Sequence, residues 1–254
     1  MLKKSYGQHF LRDESVVERI IEAAAIQPGE LVIEVGPGGG ALTKRLAEIG
    51  NDLILIEADR DLIEGLRETY PRATVVHADA AQVDFDVLTQ GRRWVFVSNL
   101  PYNAGNAILE AVFRAKNVPN RLVVMVQKEV GERMMAAPGE MSVLSVATQI
   151  FCAVKRVCTV KPDAFVPPPK VDSVVLEMIP HAEISGNAEQ IIGLAKIGFA
   201  HRRKQLRQTL AQGGVADLVA IDRALEAMSL PKTVRPQELS IENWITLWST
   251  LAHN

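Results

Sequence analysis

The sequence is poor in cysteine, in long apolar runs and in any excess of one charge. Only Cys152 and Cys158 occur in 254 residues. No CxxC pair or Cys/His cluster with zinc-ligand spacing accompanies them, so no metal is expected. They lie six apart in an apolar stretch, behind an N-terminus (Met1-Leu2-Lys3-Lys4-Ser5-Tyr6) that has no secretory leader pattern. Reduced, half-buried thiols in a cytoplasmic protein are therefore expected. The longest apolar runs, such as Leu122-Val123-Val124-Met125-Val126, fall far short of the roughly 20 residues needed to cross a bilayer, so no membrane span is expected. With 28 Lys+Arg against 30 Asp+Glu, the formal net charge is −2. That excludes a uniformly basic coat, and any nucleic-acid contact has to be local. Internal repeats and low-complexity tracts are also missing.

Apolar material for a core is plentiful, at 48% hydrophobic and 23% charged residues. At about 150 residues per domain the length suits one α/β domain of about 180 residues plus a small appendage. Asp13 precedes Val16, Val17, Ile20, Ile21 and Ala24, which is helical spacing behind an N-cap, in a helix that Pro28-Gly29 should end. Strand-like stretches at 31–35, 53–56, 74–76, 94–97 and 122–126 alternate with helical runs at 42–49, 60–70 and 107–115. Short, nearly all-apolar strands between helices predict a mostly parallel, doubly wound sheet covered on both faces. The grammar changes between 151 and 179, where strands at 153–160 and 173–179 flank Phe165-Val166-Pro167-Pro168-Pro169-Lys170, a run that cannot be helical. A closing antiparallel pair is expected there. Past Pro180 the pattern is helical throughout, with runs at 188–200, 204–211, 216–228 and 236–251, so a boundary is placed near 180–186.

Glu34-Val35-Gly36-Pro37-Gly38-Gly39-Gly40 joins the first of these strands to a helix. Its glycines can bring backbone N–H groups close to a ligand at the helix N-terminus. Glu57 follows the first glycine by about 20 positions, where a carboxylate can accept from ribose hydroxyls. A nucleoside-type cofactor follows, and Gly36-x-Gly38-x-x-Ala41 suits a nicotinamide dinucleotide as well as S-adenosylmethionine. Two acids tilt the balance towards the methyl donor. Glu34 can order the turn or meet a cationic amino-acid end, a charge unwelcome beside a pyrophosphate. Asp79 can accept from an adenine amino group, or simply cap a helix.

Asn99-Leu100-Pro101-Tyr102 follows the fourth strand, at the sheet edge where α/β enzymes place chemistry. The exocyclic nitrogen of adenine is a poor nucleophile because its lone pair is delocalised into the ring. The Asn99 side-chain oxygen and the Leu100 carbonyl can take its two N–H hydrogens and localise that pair towards a methyl group. Pro101 would fix the turn and Tyr102 would stack on the base. The five histidines (His9, His77, His181, His201, His253) form no Ser/His/Asp or Cys/His set that competes.

These motifs, together with Tyr6-Gly7-Gln8-His9-Phe10-Leu11, Val126-Gln127-Lys128-Glu129-Val130, Pro168-Pro169-Lys170-Val171-Asp172-Ser173 and His201-Arg202-Arg203-Lys204-Gln205-Leu206-Arg207, resemble the ribosomal RNA adenine dimethyltransferases almost end to end. The likeness is greatest to the small-subunit branch associated with kasugamycin sensitivity. That branch places two methyl groups on N6 of each of two adjacent adenosines in the 3′-terminal hairpin of its RNA. The erythromycin-resistance methylases, which act on the large-subunit RNA, are its relatives.

The resemblance implies a Rossmann-like class I methyltransferase domain over 1–180 and a small all-helical RNA-binding domain over 181–254. It implies S-adenosyl-L-methionine as cofactor, held by Gln8, His9, Leu11, Glu34, Gly36, Gly38, Glu57 with Ala58, Asp79 with Ala80, and Asn99. Phe165 would join Tyr102 in sandwiching a flipped adenine, and Arg202, Arg203, Lys204 and Arg207 would contact RNA. The partner would be small-subunit ribosomal RNA or an immature small subunit, met by a monomer with no membrane contact. Two segments depart from the family pattern: Asn103-Ala104-Gly105-Asn106-Ala107 and Glu140-Met141-Ser142-Val143. A large-subunit methylase, a nicotinamide oxidoreductase and a mainly non-catalytic small-subunit assembly factor are the alternative readings.

Overall fold

A computed structural model describes residues 9–182, 186–201 and 203–252. Gln8 and Arg202, both expected at functional sites, lie outside the described residues. The strands are β1 (Phe10–Leu11), β2 (Leu31–Val35), β3 (Leu53–Glu57), β4 (Thr74–His77), β5 (Trp94–Asn99), β6 (Arg121–Gln127), β7 (Cys152–Val160), β8 (Phe165–Val166) and β9 (Ser173–Pro180). The helices used below are α1 (Glu14–Ala24), α2 (Ala41–Ile49), α3 (Arg60–Thr69), α4 (Phe85–Thr89), α5 (Gly105–Arg114), α6 (Lys128–Met134), α7 (Val143–Gln149), α8 (Ala188–Gly198), α9 (Leu206–Gln212), α10 (Leu218–Ala227) and α11 (Ile241–Ala252).

The main sheet runs β4-β3-β2-β5-β6-β9-β7. The first five strands in that order are mutually parallel, and β9 closes on β6 antiparallel, with Gln127 opposite Ser173. Every residue of β2 and of β3 is buried, the consequence of helices covering both faces of a parallel sheet. The architecture is the mostly parallel, doubly wound α/β sheet that the alternation of short apolar strands and helices predicts.

Asp13 caps α1, accepting from the backbone N–H groups of Ser15 and Val16 at 2.9 and 3.4 Å, and the helix buries Val16, Val17, Ile20 and Ala24. Its end differs from expectation. Ala25, in left-handed conformation, terminates it three residues before Pro28, because the cap N–H bonds back to the carbonyls of Ile21 and Glu22. The segment 80–89 forms a 3-10 turn and the short helix α4, each capped by an aspartate, Asp79 and Asp84. Both run below the length at which hydrophobic periodicity is readable.

The chain divides into two compact units. One holds the described residues up to Gly131 together with Val154–Pro180, and the other holds Glu132–Ala153 with the residues from His181 on. The sequence pattern places one boundary after residue 180. The division also assigns Glu132–Ala153 to the second unit, because Met141, Val146 and Ile150 share a core with Ile191, Leu206, Leu225 and Trp244. Only spatial packing, not local periodicity, joins segments about 50 residues apart in sequence. Both cysteines are free and buried, more deeply than the half-burial expected, and burial pushes the Cys152 thiol up to about 12.

Candidate active site

A cavity of about 650 Å³ opens at the carboxyl ends of β2, β3, β4 and β5. This is the topological switch point, where the chain leaves β2 for β3 on one side and returns as β5 on the other. Of the expected site residues, it brings together His9, Leu11, Glu34, Gly36, Gly38, Glu57, Ala58, Asp79, Ala80, Asn99, Leu100, Pro101 and Tyr102.

The glycine turn between β2 and α2 is held from three sides. The Gly36 N–H donates to the Ile56 carbonyl at 2.9 Å, and Ser98 Oγ donates to the Val35 carbonyl at 2.7 Å. Glu57 accepts from the Gly38 N–H at 3.3 Å through Oε2 and from the Asp59 N–H at 2.9 Å through Oε1. One lone pair on each Glu57 oxygen is thus used within the chain, leaving acceptor capacity for a ligand. Gly38 has φ +51°, and a Cβ there would lie 2.8 Å from the Phe10 ring. Gly40 has φ +80°, and a Cβ there would lie 2.7 Å from the Tyr70 hydroxyl. Phe10 and Tyr70 are neighbours of the site that no local pattern singles out: Phe10 lies between His9 and Leu11, and Tyr70 is 30 residues from the turn it packs on.

Glu34 is 2% exposed, lines the cavity and leaves Oε2 buried with no hydrogen-bond partner. Burial pushes its carboxyl up to about 8, opposed by the neighbouring Thr43 hydroxyl and reinforced by the charge of Glu57. The Thr43 hydroxyl makes no bond of full hydrogen-bonding geometry, so its support for the charged form is weak. Three carboxyl groups, those of Glu34, Glu57 and Asp79, line one cavity, and with one Glu34 oxygen unsatisfied they suit a cationic ligand and oppose a pyrophosphate. Asp79 caps the turn, accepting from the Ala81 N–H at 3.0 Å, and also lines the cavity.

At the end of β5, the Asn99 side-chain amide donates to the His9 carbonyl at 3.3 Å, which leaves Oδ1 as the acceptor end. The Pro101 carbonyl accepts from Ala104 and Gly105 at 3.1 and 2.9 Å, closing the turn. Leu100 is 2% exposed and lines the cavity. Tyr102 is half-buried, lies 5.7 Å from the His9 ring at an interplanar angle of 30°, and its phenol is raised by burial and lowered by a bond to Ser173.

Two expectations meet a different geometry. Phe165 does not line the cavity. It is 2% exposed and packs in the hydrophobic core with Leu11, its partner in the β1–β8 ribbon, while Val166 is 39% exposed. Alternation along the ribbon turns the aromatic inward. In the second unit, Arg203 and Lys204 are exposed in the turn before α9, but the Arg207 guanidinium grips Asp222 at 3.1 and 2.9 Å. The four-cation cluster of the sequence is therefore not a uniform basic face. The acid that splits it comes from α10, 15 residues further on.

A Rossmann-like sheet whose switch point carries a glycine turn, two acids on successive strands and an Asn-Leu-Pro-Tyr turn defines a methyltransferase. The ribosomal RNA adenine dimethylase family matches residues 1–247. The chain is 41% identical to Ribosomal RNA small subunit methyltransferase A of Synechococcus sp. (strain CC9605), over 96% of this chain and 94% of that protein. It is 36% identical to the protein of the same name in Thermosynechococcus vestitus, over 98% and 96%. Among solved structures, a dimethyladenosine transferase from Plasmodium falciparum superposes with TM-score 0.80 at 26% identity, covering 94% of this chain and 96% of that one. The 23S rRNA methyltransferase ErmE superposes with TM-score 0.76 at 25% identity, covering 96% and 99%. The chain belongs to the ribosomal RNA adenine dimethylase family, and its cofactor is S-adenosyl-L-methionine.

Proposed function

We propose that this enzyme dimethylates N6 of two adjacent adenosines in the 3′-terminal hairpin of small-subunit ribosomal RNA, acting as a cytoplasmic monomer on an immature small subunit. The observation that carries the reading is the placement of Asn99-Leu100-Pro101-Tyr102 on the same cavity as the Gly36–Gly38 turn and Glu57. The relatives at 36 to 41% identity bear a small-subunit name, which favours that RNA over the large-subunit substrate named for the 25% identical ErmE. No helix among the described residues is long and apolar enough to cross a membrane.

S-adenosylmethionine supplies a methyl group on a cationic sulfur, and the remaining work is positioning and electrostatics. Glu57 accepts from ribose hydroxyls while bracing Gly38, Asp79 accepts from the adenine amino group, and Glu34 turns its carboxyl towards the cationic end, whose charge favours loss of the proton that burial keeps on it in the cofactor-free cavity. His9 and Leu11 wall the cavity near the N-terminal segment. Asn99 Oδ1 and the Leu100 carbonyl accept the two hydrogens of the target N6, turning its lone pair out of conjugation, and Tyr102 stacks on the base. Because each adenosine is methylated twice, the Asn99 and Tyr102 side of the cavity must tolerate one methyl already on N6. Arg203 and Lys204 contact phosphates from the helical unit. Arg207 keeps that unit in shape through Asp222.

The test is mass spectrometry of adenosines from unmethylated small subunits incubated with the protein and labelled S-adenosylmethionine. Two neighbouring dimethylated adenosines in the terminal hairpin are expected. Label on large-subunit RNA instead would transfer the reading to that substrate. No label on either, with subunits and cofactor still bound, would make the protein an assembly factor.

A further inference from the structure

The Tyr102 hydroxyl lies 2.6 Å from Ser173 Oγ. Ser173 is completely buried, opens β9 and pairs with Gln127 at the end of β6. Since β6 stands between β5 and β9, this bond spans the end of an intervening strand to reach the tyrosine that follows β5. The next residues of β9, Val174, Val175 and Leu176, are all buried and apolar. A hydroxyl at the head of such a strand is costly unless it has a partner, and Tyr102 is that partner. His9 confines the same ring from another direction, and His9 is itself fixed, with Nδ1 2.8 Å from the Pro167 carbonyl and its own carbonyl bonded to Asn99.

We propose that Ser173 is a positioning residue that holds Tyr102 by its hydroxyl as a pre-oriented platform for the target adenine, and that this tether matters most for the second methyl transfer to a given N6. The proposal rests on the reading that Tyr102 faces the base. An untethered tyrosine must lose rotational freedom when the base arrives, whereas one held at its far end has lost it already.

The asymmetry between the two transfers follows from hydrogen count. In each transfer a carbon–nitrogen bond forms at N6, the carbon–sulfur bond of the donor breaks with its electron pair left on a now neutral sulfur, and one N6 proton is released to solvent. Unmodified adenosine offers two N–H hydrogens to Asn99 and Leu100. The once-methylated base offers one, so one acceptor loses its partner and the base is held by fewer polar contacts. Stacking then carries a larger share of the orientation, and slack in the platform is felt more.

The experiment compares wild type with Ser173→Ala, Tyr102→Phe and the double variant on unmethylated small subunits. It measures the ratio of N6-monomethyl- to N6,N6-dimethyladenosine at equal total methyl incorporation. Each single variant is expected to raise that ratio about fivefold, in the range that losing one neutral hydrogen bond gives, and the double variant to raise it no further. Cofactor affinity by calorimetry should stay within about twofold, since the cofactor-holding residues are untouched. A purely packing role for Ser173 would lower thermal stability and leave the ratio alone. Tyr102→Phe breaks the same bond without altering β9, so it decides the matter should Ser173→Ala not fold. The proposal is overturned by an unchanged ratio in Tyr102→Phe, or by a double variant whose effect is the product of the two singles. Tyr102→Ala separates this from the reading beneath it: full activity there removes Tyr102 as the platform. Loss of activity there, with Tyr102→Phe behaving as wild type, removes only the tether.

Discussion

Asn99 and His9 are joined by a 3.3 Å hydrogen bond from the Asn99 side-chain amide to the His9 carbonyl. The bond ties the reaction end of β5 to the N-terminal segment and orients the amide with its oxygen free to accept. Removing that oxygen takes away an acceptor needed only when N6 attacks. Asn99→Ala is expected to lower turnover by about 100-fold or more while cofactor affinity changes by less than about threefold. Single-turnover methylation alongside calorimetry checks both halves, and wild-type turnover in the variant would remove Asn99 from the chemistry.

Glu57 braces the glycine turn and faces the cavity. Glu57→Ala should weaken S-adenosylmethionine binding by about 10- to 100-fold, the loss expected when charge-assisted hydrogen bonds to a ligand disappear. Unchanged affinity by calorimetry would show that Glu57 holds only the protein.

Burial raises Glu34 from its ordinary 4.5 to about 8, so the folded chain holds a proton there that the unfolded chain releases. The sign is fixed by this difference. Glu34's contribution to stability is fully present below about pH 4.5 and is lost as the pH rises to about 8. The limiting slope is about 1.4 kcal/mol per pH unit for one proton. Denaturant unfolding across pH 5 to 9, in the absence of cofactor, should show that fall in wild type and a flatter profile in Glu34→Gln. Parallel profiles would place the ionised form in the fold.

Gly36 and Gly38 both have positive φ, but a Cβ on Gly36 meets nothing closer than 4.0 Å, while one on Gly38 would lie 2.8 Å from Phe10. Cofactor-free Gly36→Ala should lose about 1 kcal/mol from backbone strain alone, and Gly38→Ala about 1–3 kcal/mol more from the clash. Equal melting temperatures would mean that Phe10 swings away freely.

Arg203 and Lys204 are exposed, whereas Arg207 is paired with Asp222. Arg203→Ala and Lys204→Ala should each weaken RNA binding and reduce the salt slope of log K by about 1. Arg207→Ala should instead lower the melting temperature, with the salt slope kept. Filter binding at several salt concentrations, with parallel melts, separates the two classes.

Much of the fold was readable because its signals are local. The nearly all-apolar strands β2, β3, β5 and β6, and the helices α1, α2, α3 and α5, announce themselves by period and, for α1, by its capping aspartate Asp13. Short pieces were not readable. The two-residue strands β1 and β8 exist because each pairs with the other across about 155 residues, and nothing within either segment says so. The helix α7 depends on a Ser142–Ser145 capping box and on a core supplied by α8 and α11.

The sequence by itself determined the class of chemistry. A glycine turn after an apolar strand, an acid about 20 residues on, and an Asn-Leu-Pro-Tyr turn after a later strand are ordered along the chain, and a doubly wound sheet delivers such strand ends to one edge. Only the tertiary structure decided what each side chain faces. Phe165 turned into the core, Arg207 met an acid from another helix, Phe10 and Tyr70 closed on the glycines, and Ser173 met Tyr102 across β6. These are contacts between residues 15 to 155 positions apart, set by sheet order and packing rather than by local propensity, so no pattern within a window of sequence encodes them.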